Sequence, residues 1–360
     1  MEKERDNFLR TQHETFMHRA IQLAKLGGSA VFPNPMVGAV IVHNNIIIGE
    51  GYHQKYGEAH AEVNAVNSVK DKSLLNEATI YVSLEPCAHT GKTPPCADLL
   101  VKHQFKTVVI GCKDPFSKVN GTGIARLNEN GIEVILPVLE KESIELNKRF
   151  FTFHQLKRPY IILKWAESKD GFIDKIRNSE KGINQITGKE SKIRTHQLRS
   201  EEHAILVGRK TIEIDNPYLT TREVTGRNPI RIILDPTLKT SADANVYKDA
   251  HPTIVINQLN EANKGNIHFA KSEMKNIQEI AQKLHELNIV SCIIEGGAAT
   301  LNSFIEADLW DEAYRFVGEL EFSNGIRVNP IKIAPQTQTK LENDSLFIYR
   351  NKLTIDKPNL

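Results

Sequence analysis

His60 and Glu62, in the run HAEVNAV, are followed downstream by Pro86-Cys87 and Pro95-Cys96 in the run PCAHTGKTPPC. Imidazole and thiolate groups gathered at one point hold a metal. Zinc takes three or four such nitrogen or sulfur ligands, and a catalytic zinc keeps one position for water. If His60, Cys87 and Cys96 share an ion, three separated segments must end at the same place. The fold is then one in which a helix start, a strand end and a second helix start converge.

The local patterns permit this. Ala61, Ala65, Val66 and Val69 share a helical face just after His60, TIYVSL reads as a strand ahead of Cys87, and a segment of helical length opens near Pro95. A helix N-terminus favours the thiolate that a metal requires, which suits Cys96. His89 in place of Cys96 makes a rival ligand set. Plain burial of each cysteine, with His60 packing on its helix, is the blander alternative. Glu62, two residues after His60, is better placed to carry protons than to serve as a fourth ligand. The order His-x-Glu, Pro-Cys, Cys is that of zinc deaminases, although AHTGKTPP separates the cysteines here where the general signature has two residues. Cys112 and Cys292 follow or occupy apolar runs, TVVIG and SCIIEGG, and are assigned to cores as small hydrophobes.

A chain of 360 residues is long for one core and sufficient for two, expected at 1–150 and 151–360. In the first, a helix from Thr11 to Leu26 precedes a hairpin (Val37 to Val42, Ile46 to Gly49), the strands TIYVSL and TVVIG, a helix near Gly123 to Asn130 and a strand at Ile132 to Leu136. This is a three-layer α/β unit. FFTFHQLKRP, Phe150 to Pro159, is read as the connection to a second α/β series containing YIILKW, AILVG, PIRIILD, TIVIN and CIIEGG. The formal charge of +2, from 46 basic and 44 acidic side chains, provides no field for a phosphate polymer, so a small-molecule substrate is expected and nucleic acid is not. No run approaches the roughly 18 apolar residues of a membrane span. The charged start MEKERDNFLRTQHETF has no leader pattern, and a cytoplasmic protein is expected. NGTGIARLNENG, from Asn120, lacks the third glycine of a dinucleotide fingerprint and is read as a turn and helix start.

PNPMVGAVIV, GYHQKYGEAHAE and PCAHTGKTPPC together resemble the deaminase half of the bifunctional riboflavin-biosynthesis deaminase-reductases, in which the longer cysteine spacing is normal. The resemblance implies a cytidine-deaminase-like domain with zinc on His60, Cys87 and Cys96 and Glu62 as catalytic acid and base. Glu62 would take a proton from water made acidic by the metal, and return it to the departing amino group. Asn34, His53, His89 and Lys92 are candidates for holding the base and its ribose phosphate, Asn34 by hydrogen bonding and the others through the anion.

LKWAESKDG at Leu163, HQLRSEEHAILVGRKTIEIDNPYLTTR from His196, RIILD at Arg231 and IIEGGAATL at Ile293 are similar to the family's dihydrofolate-reductase-like half. The similarity implies NADPH on Ala166, Thr211, Asp215 and the backbone of Gly297, Ala298, Ala299 and Thr300, and substrate on Arg199, Leu219, Arg222 and Glu295. GGAATL suits a pyrophosphate at a helix start, and two arginines suit a substrate phosphate. Arg209 and Lys210 are candidates for the extra phosphate of NADPH. Gln185 stands where the family pattern has tryptophan, and Lys169 at a commonly apolar place. These departures raise an alternative in which an active deaminase carries a non-catalytic binding and dimerisation domain. A homo-oligomer is expected.

Overall fold

The computed structural model describes residues 2–88, 94–117, 119–177 and 180–351. The chain forms two compact units that divide between Leu156 and Lys157.

The first unit runs α1 (Glu2–Lys25), β1 (Gly38–His43), β2 (Ile46–Tyr52), α2 (Ala61–Ser68), β3 (Thr79–Val82), α3 (Cys96–Lys102), β4 (Thr107–Ile110), α4 (Thr122–Glu129), β5 (Glu133–Ile135), α5 (Glu140–Leu146) and α6 (Lys148–Leu156). Its sheet has the order β2-β1-β3-β4-β5, antiparallel on either side of β1 and parallel from β3 to β5. Asn44 and Asn45, with φ of 47° and 64°, close the β1–β2 hairpin in the left-handed conformation that matches strand twist. Alternation then sorts the strands into two faces. Ala39, Ile41, Ile80 and Val82 pack with Ala65, Val66 and Leu100, whereas Val40, Val42, Tyr81 and Val109 pack with Met17, Ala20 and Ile21 of α1. Each fully buried aliphatic side chain of this set contributes about 1.5–3 kcal/mol, so the sheet is held from both sides and its strand ends are fixed.

FFTFHQL is not a connection. It belongs to α6, whose Phe150 and Phe151 pack on Leu84 and Cys112 and whose Phe153 is also buried. Aromatic burial holds the segment to the first unit and carries that unit past residue 150.

The second unit comprises β6 (Tyr160–Glu167), α7 (Lys189–Glu201), β7 (Ala204–Gly208), α8 (Arg209–Asp215), β8 (Ile230–Leu234), β9 (Thr253–Asn257), β10 (Ala262–Lys264), β11 (Ile267–Lys271), α9 (Ile277–Glu286), β12 (Ser291–Ile294), α10 (Ala298–Glu306), β13 (Glu312–Val317), β14 (Thr337–Leu341) and β15 (Asp344–Arg350). The sheet order is β10-β11-β9-β8-β7-β12-β6-β13-β15-β14. It is parallel from β11 to β13, with β10, β15 and β14 added antiparallel. The late strand β12 inserts between β6 and β7, and so places a topological switch at their carboxyl ends, where open α/β sheets bind ligands. Among the described residues, no helix is long and apolar enough to cross a membrane.

Candidate functional site

In the first unit His60 stands at the N-cap of α2 without a side-chain capping bond, Cys87 follows β3, and Cys96 opens α3. Their ligand atoms lie within 4.8 Å of one another. His60 Nδ1 is 3.2 Å from Cys96 Sγ and 3.7 Å from Cys87 Sγ, so one ring nitrogen faces both sulfurs. This donor set fits zinc. The first backbone N–H of α3, that of Cys96, donates to Cys87 Sγ at 3.4 Å. Cys96 opens a helix as expected, and the start of that helix serves Cys87 as well through this amide. Hydrogen bonds from the Cys96 thiol and from His60, outweighing burial, hold the Cys87 thiol down at about 4, while the donating Cys96 thiol is pushed up.

Glu62 lies in the first turn of α2 and is only 3% exposed. Burial pushes its carboxyl up, and His60 pulls it partly back. The His53 ring meets the His60 ring edge-on with centroids 5.4 Å apart. A carbonyl only accepts, so His53 Nδ1 donates to Ala59 O at 3.1 Å, and the free lone pair of Nε2 accepts from the Asn34 amide at 3.1 Å. Burial lowers the His53 pKa and favours this neutral ring. His53 thus orients Asn34. His89 and Lys92 lie outside the described residues.

The loop bearing Asn34 is clamped by a residue that sequence reasoning missed. Asn147, between α5 and α6, accepts the Met36 N–H at 2.8 Å and donates to the Met36 carbonyl at 2.9 Å. Asn147→Ala is expected to cost about 1–3 kcal/mol by leaving both groups without their partner. The melting transition of the first unit should fall accordingly, and an unchanged transition would refute the clamp.

In the second unit β12 leads through Glu295, Gly296 and Gly297 into α10, which begins without a side-chain cap. The N–H groups of Ala298 and Ala299 are among the orphan donors of that first turn. The packing leaves no room for side chains beside them: a Cβ on Gly208 would stand 2.9 Å from Thr300 Oγ1, and one on Gly296 2.8 Å from Thr300 Cβ. Thr211 is near as well, its Oγ1 3.9 Å from a Cβ built on Gly297. Such a backbone cradle at the ends of β7 and β12 fits a dinucleotide pyrophosphate. Ala166 lies near the carboxyl end of β6, and Asp215 ends α8, pushed up to about 6 by burial against the pull of Arg177. Arg209 is already paired with Glu213 and lies 3.8 Å from the buried Asp235, which counts against its reading as a phosphate ligand. Lys210 is exposed.

Glu295 receives both arms of Arg199, at 3.0 and 2.7 Å, with Lys164 Nζ at 3.9 Å. Burial alone would raise the Glu295 carboxyl, but Arg199 and Lys164 hold it down at about 2. Arg199 also donates to Thr220 O, and the Arg222 guanidinium donates to Thr220 Oγ1 at 2.9 Å. Leu219 between them is buried with φ of 56°. The four expected substrate residues therefore meet on α7, on the loop around Thr220 and at the end of β12. Arg199 spends its bidentate face on Glu295, whereas Arg222 is exposed. Lys164 and His196, which accepts the Arg222 N–H at 2.9 Å, complete the group. Both lie in the runs LKWAESKDG and HQLRSEEHAILVGRKTIEIDNPYLTTR, where no local pattern sets them apart.

Residues 10–112 match the model of the cytidine and deoxycytidylate deaminase zinc-binding region, and residues 159–318 match that of the RibD C-terminal domain. The riboflavin biosynthesis protein RibD of Aquifex aeolicus is 40% identical over 337 residues, covering 90% of this chain and 92% of its own. The chain belongs to the RibD family. RibD of Bacillus amyloliquefaciens is 39% identical, covering 84% of this chain and 83% of its own. The crystal structure of a diaminohydroxyphosphoribosylaminopyrimidine deaminase/5-amino-6-(5-phosphoribosylamino)uracil reductase from Thermotoga maritima superposes with a TM-score of 0.84 at 37% identity, covering 95% of this chain and 99% of that one. Acinetobacter baumannii RibD gives 0.85 at 30% identity, covering 94% and 98%.

As a RibD protein this is a bifunctional deaminase and reductase of riboflavin biosynthesis, with a cytidine-deaminase-like, zinc-binding first unit and a dihydrofolate-reductase-like, NADPH-dependent second unit. Both departures from the RibD pattern lie at the surface. Lys169 forms an exposed ion pair with Glu319 at 3.8 Å, and Gln185 is exposed. Cys112 and Cys292 are buried as expected, whereas Cys87 is partly exposed. Alkylation of the metal-stripped protein in native buffer should therefore label Cys87 first and spare Cys112 and Cys292 until unfolding, as read by peptide mass mapping. Early labelling of Cys112 or Cys292 would contradict the packing.

Proposed function

We propose that the first unit hydrolytically removes an amino group from a diaminopyrimidinone bearing a ribosylamino phosphate, and that the second reduces the ribosyl group of the product to ribityl. The chief support is the convergence of His60 Nδ1, Cys87 Sγ and Cys96 Sγ within 4.8 Å, beside the buried Glu62. When bound, zinc on His60, Cys87 and Cys96 supplies Lewis acidity toward water, and NADPH in the second unit supplies a hydride.

Glu62 takes the proton released by water and delivers it to the leaving amino group, so that water enters and ammonia departs with no net change of charge on the protein. A carboxyl whose pKa burial has raised accepts a proton more readily than an exposed one. Asn34, held by His53, orients the base, with His89 and Lys92 assigned to the same substrate. In the second unit the backbone of Gly297, Ala298, Ala299 and Thr300, with Ala166, Thr211 and Asp215, binds NADPH. Arg199, Leu219, Arg222 and Glu295 bind the substrate, with Arg222 toward its phosphate. The two activities, expected at 1–150 and 151–360, are assigned to the compact units that divide between Leu156 and Lys157. Assembly as a homo-oligomer and a cytoplasmic location belong to the same proposal.

Mass spectrometry of the diaminopyrimidinone phosphate incubated with zinc-loaded protein tests both steps. Exchange of amino for oxo without NADPH, and gain of two hydrogens once NADPH is added, are expected. No exchange would overturn the deaminase assignment, and exchange without hydrogen gain would overturn the reductase assignment.

A further inference from the structure

Glu85 is a buried acid two residues before Cys87, at the point where the chain leaves β3. Its carboxylate is held by backbone. Oε2 accepts the N–H groups of Asp114 at 3.3 Å and Gly121 at 3.0 Å, and Oε1 accepts those of Gly123 at 3.0 Å and Ile124 at 3.3 Å. These donors come from the loop after β4 and the start of α4.

The same loop touches the cysteine segment directly. A Cβ on Gly123 would stand 2.0 Å from the Pro86 carbonyl oxygen, so the backbone of α4 lies flat against the peptide preceding Cys87. Gly121, with φ of 81°, makes the turn that brings both amides onto Glu85. On its other side α4 packs on α3, which opens with Cys96, and Arg126 of α4 pairs with Asp98 of α3. One carboxylate thus ties the loop carrying the first thiolate to the helix that supports the second.

We propose that Glu85 is a positioning residue for the metal centre, setting the spacing of the Cys87 and Cys96 sulfurs by fastening Pro86-Cys87 to the first turn of α4. This rests on the assignment of His60, Cys87 and Cys96 as metal ligands. Glu85 makes no contact with the ion or the substrate in this role. Groups that support metal ligands commonly alter affinity by about 10–100-fold when replaced. Glutamine at this position keeps the size but turns an NH2 group toward amides that are themselves donors.

The test uses the full chain, stripped of metal and titrated with Co²⁺, for the parent, Glu85→Gln and Gly123→Ala. Thiolate-to-cobalt absorption in the parent reports the ligand set, and failure to see it would overturn that set itself. With the band present, Glu85→Gln is expected to weaken Co²⁺ binding by about 10–100-fold in competition with a chelator and to change the visible bands. Gly123→Ala, which presses on Pro86 while leaving Glu85 in place, should alter the same bands. Unchanged affinity and spectrum in Glu85→Gln overturn the proposal, whether or not the melting temperature falls. Loss of cooperative melting and of helical circular dichroism in Glu85→Gln overturns it as well, because Glu85 would then be required to fold the unit and not to tune its metal.

Discussion

Glu62→Gln is expected to slow deamination by about 10²–10⁴-fold, the range that a positioned acid-base group contributes, while zinc content and NADPH-dependent reduction of the deaminated product stay at parental levels. Glutamine has nearly the volume of glutamate, so the buried first turn of α2 keeps its packing. What disappears is a carboxyl able to accept and return a proton beside His60 and the two sulfurs. Two measurements decide the matter: turnover of the diaminopyrimidinone phosphate followed by mass spectrometry, and metal content by atomic absorption. Deamination within about tenfold of the parent would remove Glu62 from the proton path. Parallel loss of zinc would recast it as a support for the ligands.

The second large effect concerns Arg199. Removing one partner of a buried ion pair leaves an uncompensated charge and costs about 3–5 kcal/mol, and Glu295 would retain only Lys164 at 3.9 Å. Arg199→Met is therefore expected to destabilise the second unit toward the lower end of that range and to impair substrate binding. The pH dependence has a definite sign. Glu295 is held at about 2 in the folded chain against an ordinary 4.5, so its depressed pKa contributes stability above about pH 4.5. That contribution, about 3 kcal/mol on a scale of 1.36 kcal/mol per unit, drains away as the pH falls from 4.5 toward 2. Denaturant melts of the second unit at a series of pH values should show this loss in the parent and a much flatter profile in Arg199→Met. Parallel profiles would mean that Arg199 does not set the charge state of Glu295.

The metal centre was legible because its ligands sit at element ends that short patterns reveal. Prolines mark the approach to each cysteine, and the apolar face after His60 marks a helix. The parallel strands were legible as continuous β-branched runs. Other parts left no local signature. Asn147 acts on Met36 across more than a hundred residues of sequence, and Glu85 on amides well downstream, so neither role has a spacing that could be read. β14, the polar run TQTKL, is an exposed strand that exists by pairing with β15, not by burial. In α6 the aromatic residues were visible, but whether Phe150 and Phe151 faced a core or began a linker depended on Leu84 and Cys112, which only the fold brings near. The lowering of the Cys87 thiol likewise depends on the Cys96 thiol and His60, which only the fold brings to it.

The insertion of β12 between β6 and β7 bears on how the chain is made. During synthesis β6, β7, β8 and β9 all emerge before Ser291, yet β6 and β7 cannot pair with each other, because their shared neighbour has not left the ribosome. A nascent chain ending before that point has β6 without either of its sheet neighbours, β12 and β13, and leaves one edge of β7 unpaired; such open apolar edges invite pairing with foreign chains. The strand that joins β6 to β7 is the one that leads into Glu295 and the glycines of the α10 start. Joining β6 to the parallel strands and assembly of the cofactor cradle are thus one late event, and a ribosome stalled between α9 and β12 would release a chain exposed to aggregation and without reductase function.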